Sequence, residues 1–166
     1  MTSLAPILQQ FFTIHLTAER SASPRTVSTY RDAWRIFLTW LADDLGRPAH
    51  TLELTDITPG VVTRFLDHLE GDRGNSISTR NLRLAAIKSV IASQCVGNPE
   101  SLDTLAQIMA IPVKRQTRAD VSYLTEPEVQ ALLDAIPATT WTGRRDRALF
   151  ALAAQTGLRI SELIGL

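Results

Sequence analysis

The stretch SPRTVSTYRDAWRIFLTWL, Ser23 to Leu41, decides the architecture. Ser23 followed by Pro24 sets an N-cap next to a proline at the first helical position, where the missing N–H is no loss. Beyond it Val27, Tyr30, Trp34, Phe37, Leu38 and Leu41 recur at helical spacing, one apolar stripe. Gly46 and Pro48 end the helix.

The same grammar extends in both directions. Upstream, Thr2 or Ser3 can cap a first helix with Leu8, Phe11, Phe12 and His15 on one side, broken by ERSAS at Glu19–Ser23. Downstream, Leu52, Leu54 and Ile57 sit in a linking stretch, and Thr58 with Pro59 opens a short helix to about Glu70. GDRGN, Gly71 to Asn75, reads as a flexible connection. The fourth helix, SISTRNLRLAAIKSVIASQCVG from Ser76, turns Leu84, Ile87, Val90 and Ile91 inward and stops at Gly97, Asn98 and Pro99. ESLDTLAQIMAI, from Glu100, makes a short fifth helix ended by Pro112.

The pattern then changes. PVKRQTRADVS, Pro112 to Ser122, lacks apolar periodicity and carries Lys114, Arg115 and Arg118. It reads as a basic linker between a helical domain (1–111) and a second region (123–166). In that region Thr125 and Glu128 have capping-box spacing, and Val129, Leu132, Leu133 and Ile136 form a stripe expected to be buried. TGRRDRALFALAAQTG is a further helix, closed by Gly157 in a left-handed C′ position. RISELIGL, from Arg159, starts a new helix or turn. The expected fold class is all-α.

Composition narrows the classes. With 45% hydrophobic residues and 20% charged ones, the 166-residue chain can bury a core. Cys95 is the one cysteine, so no internal disulfide can form, and its apolar run predicts a buried, inert thiol in a reducing, cytoplasmic setting. His15, His50 and His68 have no metal-ligand spacing. No Lys or Arg precedes Arg20, so a secretion signal is not expected, and no apolar run is long enough for a membrane span.

Seventeen Lys and Arg balance seventeen Asp and Glu, so any basic surface must come from clustering. Arg80, Arg83 and Lys88 stand in the fourth helix with no acid between Ser78 and Val96. Arg25, Arg31 and Arg35 face only Asp32 in the second. These positions, with Lys114, Arg115 and Arg118, suit a surface for nucleic-acid phosphates; solvated helix faces would look the same. At the end of the chain Arg159 follows a helix C-cap, and Glu162 lies within reach of it. The pair reads either as a surface ion pair or as a guanidinium offered to a phosphate.

Several of these stretches resemble the tyrosine recombinase (phage integrase) family. RRDRALFALAAQTGLRISELIGL, Arg144 to Leu166, is similar to the family's first conserved box, with TGLRISEL its most specific part. YLTEPEVQALLDAIP resembles the opening helix of the family's catalytic domain. SPRTVSTYRDAWRIFLTWL and STRNLRLAAIKSV resemble the second and fourth helices of the core-binding domain. LAQIMAIPVKR resembles the segment entering the interdomain linker, notably in transposon-type integrases of mobile elements.

The resemblance implies a SAM-like helical core-binding domain, then the first helices of an α+β catalytic domain. It implies a clamp on double-stranded DNA, and protomers assembled on paired sites. It also implies site-specific integration and recombination through a 3′-phosphotyrosyl intermediate, without metal or nucleotide cofactor. Arg159 matches the family's first catalytic arginine, Glu162 the acidic residue that supports it, and Gly157 the glycine of the turn. The family's lysine, His-x-x-Arg box and nucleophilic tyrosine lie further along than residue 166. Tyr30 and Tyr123 lack the nucleophile's context, so the chain as it stands is expected to bind DNA without cutting it. The region 123–166 is expected to be loosely packed or docked on a partner. Two other readings use the same residues: a standalone, non-catalytic DNA-binding module, and a helical interaction domain with no nucleic-acid role.

Overall fold

The computed structural model describes residues 3–19, 21–94, 101–116 and 122–165. The expectations placed on Thr2, Cys95, Arg118 and the stop at Gly97–Pro99 fall outside them. The fold is all-α: the described residues hold no strand, only one isolated bridge between Ser3 and Glu53. The chain divides into two compact units, residues 1–117 and 118–166.

The first unit holds α1 (Leu4–Gln10), a π-helical segment (Phe11–Glu19), α2 (Pro24–Leu45), α3 (Pro59–Gly71), α4 (Ile77–Gln94) and α5 (Leu102–Ala110). Ser23 caps α2 through its hydroxyl, which accepts from the Thr26 N–H at 3.2 Å. Thr58 does the same for α3, accepting from Val61 N–H at 3.3 Å. The inward stripe of α2 is Ala33, Trp34, Phe37 and Leu41, with Val27, Tyr30 and Leu38 packed at its edges.

α4 is the axis of the unit: α2, α3, α5 and the π segment all pack on it. Its Leu84, Ile87, Val90 and Ile91 are fully buried against Phe65, Leu66, Leu105 and Ile108. Burial of each such side chain is worth about 1.5–3 kcal/mol. Trp34 reaches across the core and donates its indole N–H to the Ala86 carbonyl of α4 at 3.1 Å. Phe37 then sits edge-on to Trp34 at 5.5 Å and 4.9 Å from Phe65.

The N-terminus departs from the expected single helix. Widening to π geometry at Phe11 makes Leu4, Ile7, Phe11 and Leu16 the inward set, while Leu8 and Phe12 only flank the core. The step from Phe11 to Leu16 equals the i to i+5 hydrogen-bond spacing of a π turn. Ser3 makes no side-chain cap; instead the Leu4 N–H donates to the Leu52 carbonyl at 3.1 Å. That tie draws the supposed linking stretch inward, and Leu52, Leu54 and Ile57 are all core residues.

Residues 112–114 are held to α4 rather than free. The Asn81 amide closes a two-way bond on Lys114, donating to its carbonyl at 2.8 Å and accepting its N–H at 3.1 Å. Arg80 donates to the Pro112 carbonyl at 3.3 Å.

The second unit contains α6 (Glu126–Ala135), α7 (Trp141–Thr156) and α8 (Ile160–Leu163). Glu128 Oε2 accepts from the Thr125 N–H at 2.7 Å and its hydroxyl at 2.8 Å, fixing the first turn of α6. Arg147 of α7 ties to the end of α6, at Leu133 O (2.8 Å) and Asp134 Oδ1 (2.9 Å). Gly143 is obligatory, because a Cβ there would stand 1.7 Å from the Pro137 carbonyl oxygen. The expected buried stripe of α6 does not form. Val129, Leu133 and Ile136 are half-buried and Leu132 is 56% exposed. So few short helices cannot enclose an apolar face. Trp141, Phe150, Ile160 and Ile164 are exposed as well.

Two consequences can be measured. Trp34→Phe keeps most of the packing but removes the indole donor, and should cost about 1–3 kcal/mol in urea unfolding; an unchanged midpoint would deny the bond its role. In α6, the Thr125 N–H and hydroxyl hold the Glu128 carboxyl below its usual pKa. The contribution is therefore present above the ordinary glutamate value, near ~4.3, and is lost as pH falls through the depressed one. Amide protection at Thr125–Val129, taken relative to the intrinsic exchange rate at each pH, should fall on acidification through that window, and Glu128→Gln should abolish the dependence.

Candidate nucleic-acid interface

The outer face of α2 is cationic. Arg25, Ser28, Arg31, Asp32, Arg35 and Thr39 are exposed along it. Arg35 meets Asp32 at 3.2 Å, both side chains well exposed, a pairing worth about 0–1 kcal/mol. Arg31 stands 5.9 Å over the Phe12 ring. Among the described residues, Arg25 has no acidic neighbour in hydrogen-bonding contact.

α4 differs from what its charge count suggests. Its outward positions are Ser78, Leu82 and Ala85, none of them charged. The Arg80 side chain is 6% exposed, with Nε 3.7 Å from Glu70 Oε1 and Nη1 donating to Asn81 Oδ1 at 3.1 Å. Lys88 donates to the carbonyls of Met109 (2.7 Å) and Ile111 (2.6 Å) at the end of α5. A helix C-terminus leaves carbonyls without intrahelical donors, and this ammonium satisfies them. Burial, then the neighbouring Arg80 charge, push the Lys88 pKa down. Lys114 pairs with Glu70. Arg80, Lys88 and Lys114 therefore have partners inside the unit, whereas Arg115 is exposed.

Arg83 lies between these cases. It is half-buried, and its Nη1 is buried without a hydrogen-bond partner. Burial, then the charge of Arg73, lower its pKa. Arg73 lies in the turn between α3 and α4, outside any helical periodicity. It lines a surface cleft of about 290 Å³ with Arg35, Trp40, Asp43 and His68. A lone arginine in GDRGN gives no periodic signal, so only the folded turn brings it beside α2. No group of side chains that could hold a metal occurs among the described residues.

In the second unit Gly157 takes φ 67°, the left-handed conformation required for the chain to leave α7. Arg159 then precedes α8. Glu162 accepts from the Arg159 N–H at 2.8 Å and meets its Nη1 at 3.4 Å. One carboxylate thus both caps the short helix and steadies the guanidinium, which remains 83% exposed. Most of the Arg159 fork faces solvent, as a phosphate ligand requires. Tyr30 is half-buried in the first unit and Tyr123 is exposed in the second.

Residues 8–93 match the phage integrase N-terminal SAM-like domain. The chain is 45% identical to the integrase/recombinase y4rC of Sinorhizobium fredii over 99% of its own length and 49% of that protein. It is 34% identical to the tyrosine recombinase XerC of Rhodospirillum centenum, over 91% of this chain and 44% of the relative. The chain spans about half the length of the curated relatives it matches. No solved structure matches it significantly. The chain belongs to the phage integrase (tyrosine recombinase) family, and its first unit carries that family's N-terminal SAM-like domain.

Proposed function

We propose that the first unit binds duplex DNA as the core-binding domain of a site-specific tyrosine recombinase, through the outer faces of α2 and α4. The observation that carries this reading is the row of Arg25, Arg31 and Arg35 on α2, whose acidic partner among the described residues is Asp32 alone. Exposed guanidiniums on one helix face are suited to backbone phosphates, which dominate the affinity of such contacts. Arg83, Arg73 and Arg115 extend the cationic surface. Arg80, Lys88 and Lys114 act chiefly as fasteners within the fold.

In the whole protein, Arg159 serves as a phosphate ligand of the strand-exchange site and Glu162 holds it in place. Catalysis would proceed through a 3′-phosphotyrosyl intermediate without a metal or nucleotide cofactor. Stabilisation of phosphoryl charge by preorganised guanidinium groups is the physical contribution of such a residue. The protein acts in the cytoplasm, on mobile DNA, with protomers assembled on paired sites. Residues 1–111 are the core-binding domain, 112–122 the linker and 123–166 the start of the catalytic domain.

Salt-dependent binding to a duplex tests the reading. Replacing Arg25, Arg31 and Arg35 together by Ala should lower the slope of log affinity against log salt by about 2–3, since each lost phosphate contact removes about 0.9. Lys88→Ala should lower the thermal midpoint and leave the slope alone. A folded triple variant with the parental slope would remove α2 from the interface.

A further inference from the structure

We propose that Leu82 contacts the 5-methyl group of a thymine in the major groove, making it a sequence-reading residue of the first unit. This rests on the DNA-binding reading above and adds to it what the α4 face recognises.

Leu82 is 45% exposed on the outward line of α4, between the small residues Ser78 and Ala85. A single exposed leucine is ordinary on any surface. This one forms a wall of a cleft of about 220 Å³, whose opposite side is the first turns of α2: Ser23, Arg25, Thr26, Thr29 and Tyr30. The cleft joins the uncharged face of α4 to the cationic face of α2.

The Ser23, Thr26 and Thr29 hydroxyls lining it make hydrogen bonds within α2. Ser23 Oγ accepts the Thr26 N–H at 3.2 Å and is bonded to Thr26 Oγ1 at 2.9 Å. Thr29 Oγ1 donates to the Arg25 carbonyl at 2.8 Å. Much of that hydrogen-bonding capacity is spent inside the helix, so at Leu82 the cleft offers apolar contact surface, with the Arg25 charge at its edge. A leucine gains nothing against a phosphate. In the major groove the apolar feature of an unmodified base pair is the thymine methyl, and side chains that read it are apolar. The Arg25 guanidinium fits a phosphate flanking that base. With Arg80 and Lys88 turned inward and Arg83 at its flank, the outward line of α4 around Leu82 offers apolar contact.

The test begins with a pool of random-sequence 30-base-pair duplexes, from which the 166-residue chain selects its preferred site. Each thymine of that site is then replaced singly by deoxyuridine, which lacks only the methyl. The wild type should lose about 3–5-fold in affinity at one or two positions, the effect of one buried methyl group. Leu82→Ala, at an exposed position, should fold normally, keep the salt slope and bind the thymine and uracil duplexes equally. Leu82→Met should restore the discrimination. Tolerance of uracil at every position, or an unchanged ratio in Leu82→Ala, overturns the inference while salt-dependent binding preserves the reading beneath it. Absence of binding to any duplex at low salt overturns both.

Discussion

The Trp34 indole N–H bonded to the Ala86 carbonyl fixes how α2 and α4 cross, and the rest of the first unit is arranged around that crossing. A buried indole that lost its acceptor would carry a desolvation cost of about 1–3 kcal/mol, so the bond restricts register as well as adding stability. With the two helices locked, Phe37 and Phe65 meet, α3 closes one side, and the stretch Leu52–Ile57, with a 3-10 turn at Leu54–Asp56, fills the gap beside α1. The faces left outside are then determined: arginines on α2, and short uncharged side chains around Leu82 on α4.

This crossing explains why charge was a poor guide to the surface. A helix packed on four neighbours has little free circumference, so cations at its flanks meet protein before they meet solvent. Lys88 finds the end of α5, and Arg80 finds Glu70 and the Pro112 carbonyl. A long side chain can bury its stem and still satisfy its charge against carbonyl oxygens. Fastening the segment after α5 is a structural use of basic residues that a count of Lys and Arg cannot separate from DNA contact.

The helices themselves were legible, because caps and apolar periodicity are local signals. Ser23–Pro24, Thr58–Pro59 and Gly157 mark their boundaries in sequence and structure alike. The Arg159–Glu162 contact was legible from its spacing, which favours a surface ion pair; only the TGLRISEL box points to a phosphate ligand. Three features were not. The π widening at Phe11 depends on where Leu16 can be buried; the burial of Leu52 depends on its bond from Leu4; and Arg73 enters the basic face only through the α3–α4 turn. Each is set by contacts between residues distant in sequence, which periodicity does not encode.

The exposed apolar side chains of the second unit carry a colloidal consequence. Leu132, Trp141, Phe150, Ile160 and Ile164 all face solvent on a chain whose formal net charge at pH 7 is zero. Long-range repulsion between molecules is therefore weakest near neutrality, where sticky contacts between such faces are least opposed. Moving pH away from the isoelectric region restores repulsion, while adding salt only screens what little there is. Buffer choice thus governs whether copies of this chain stay apart in concentrated solution, independently of how stable each one is.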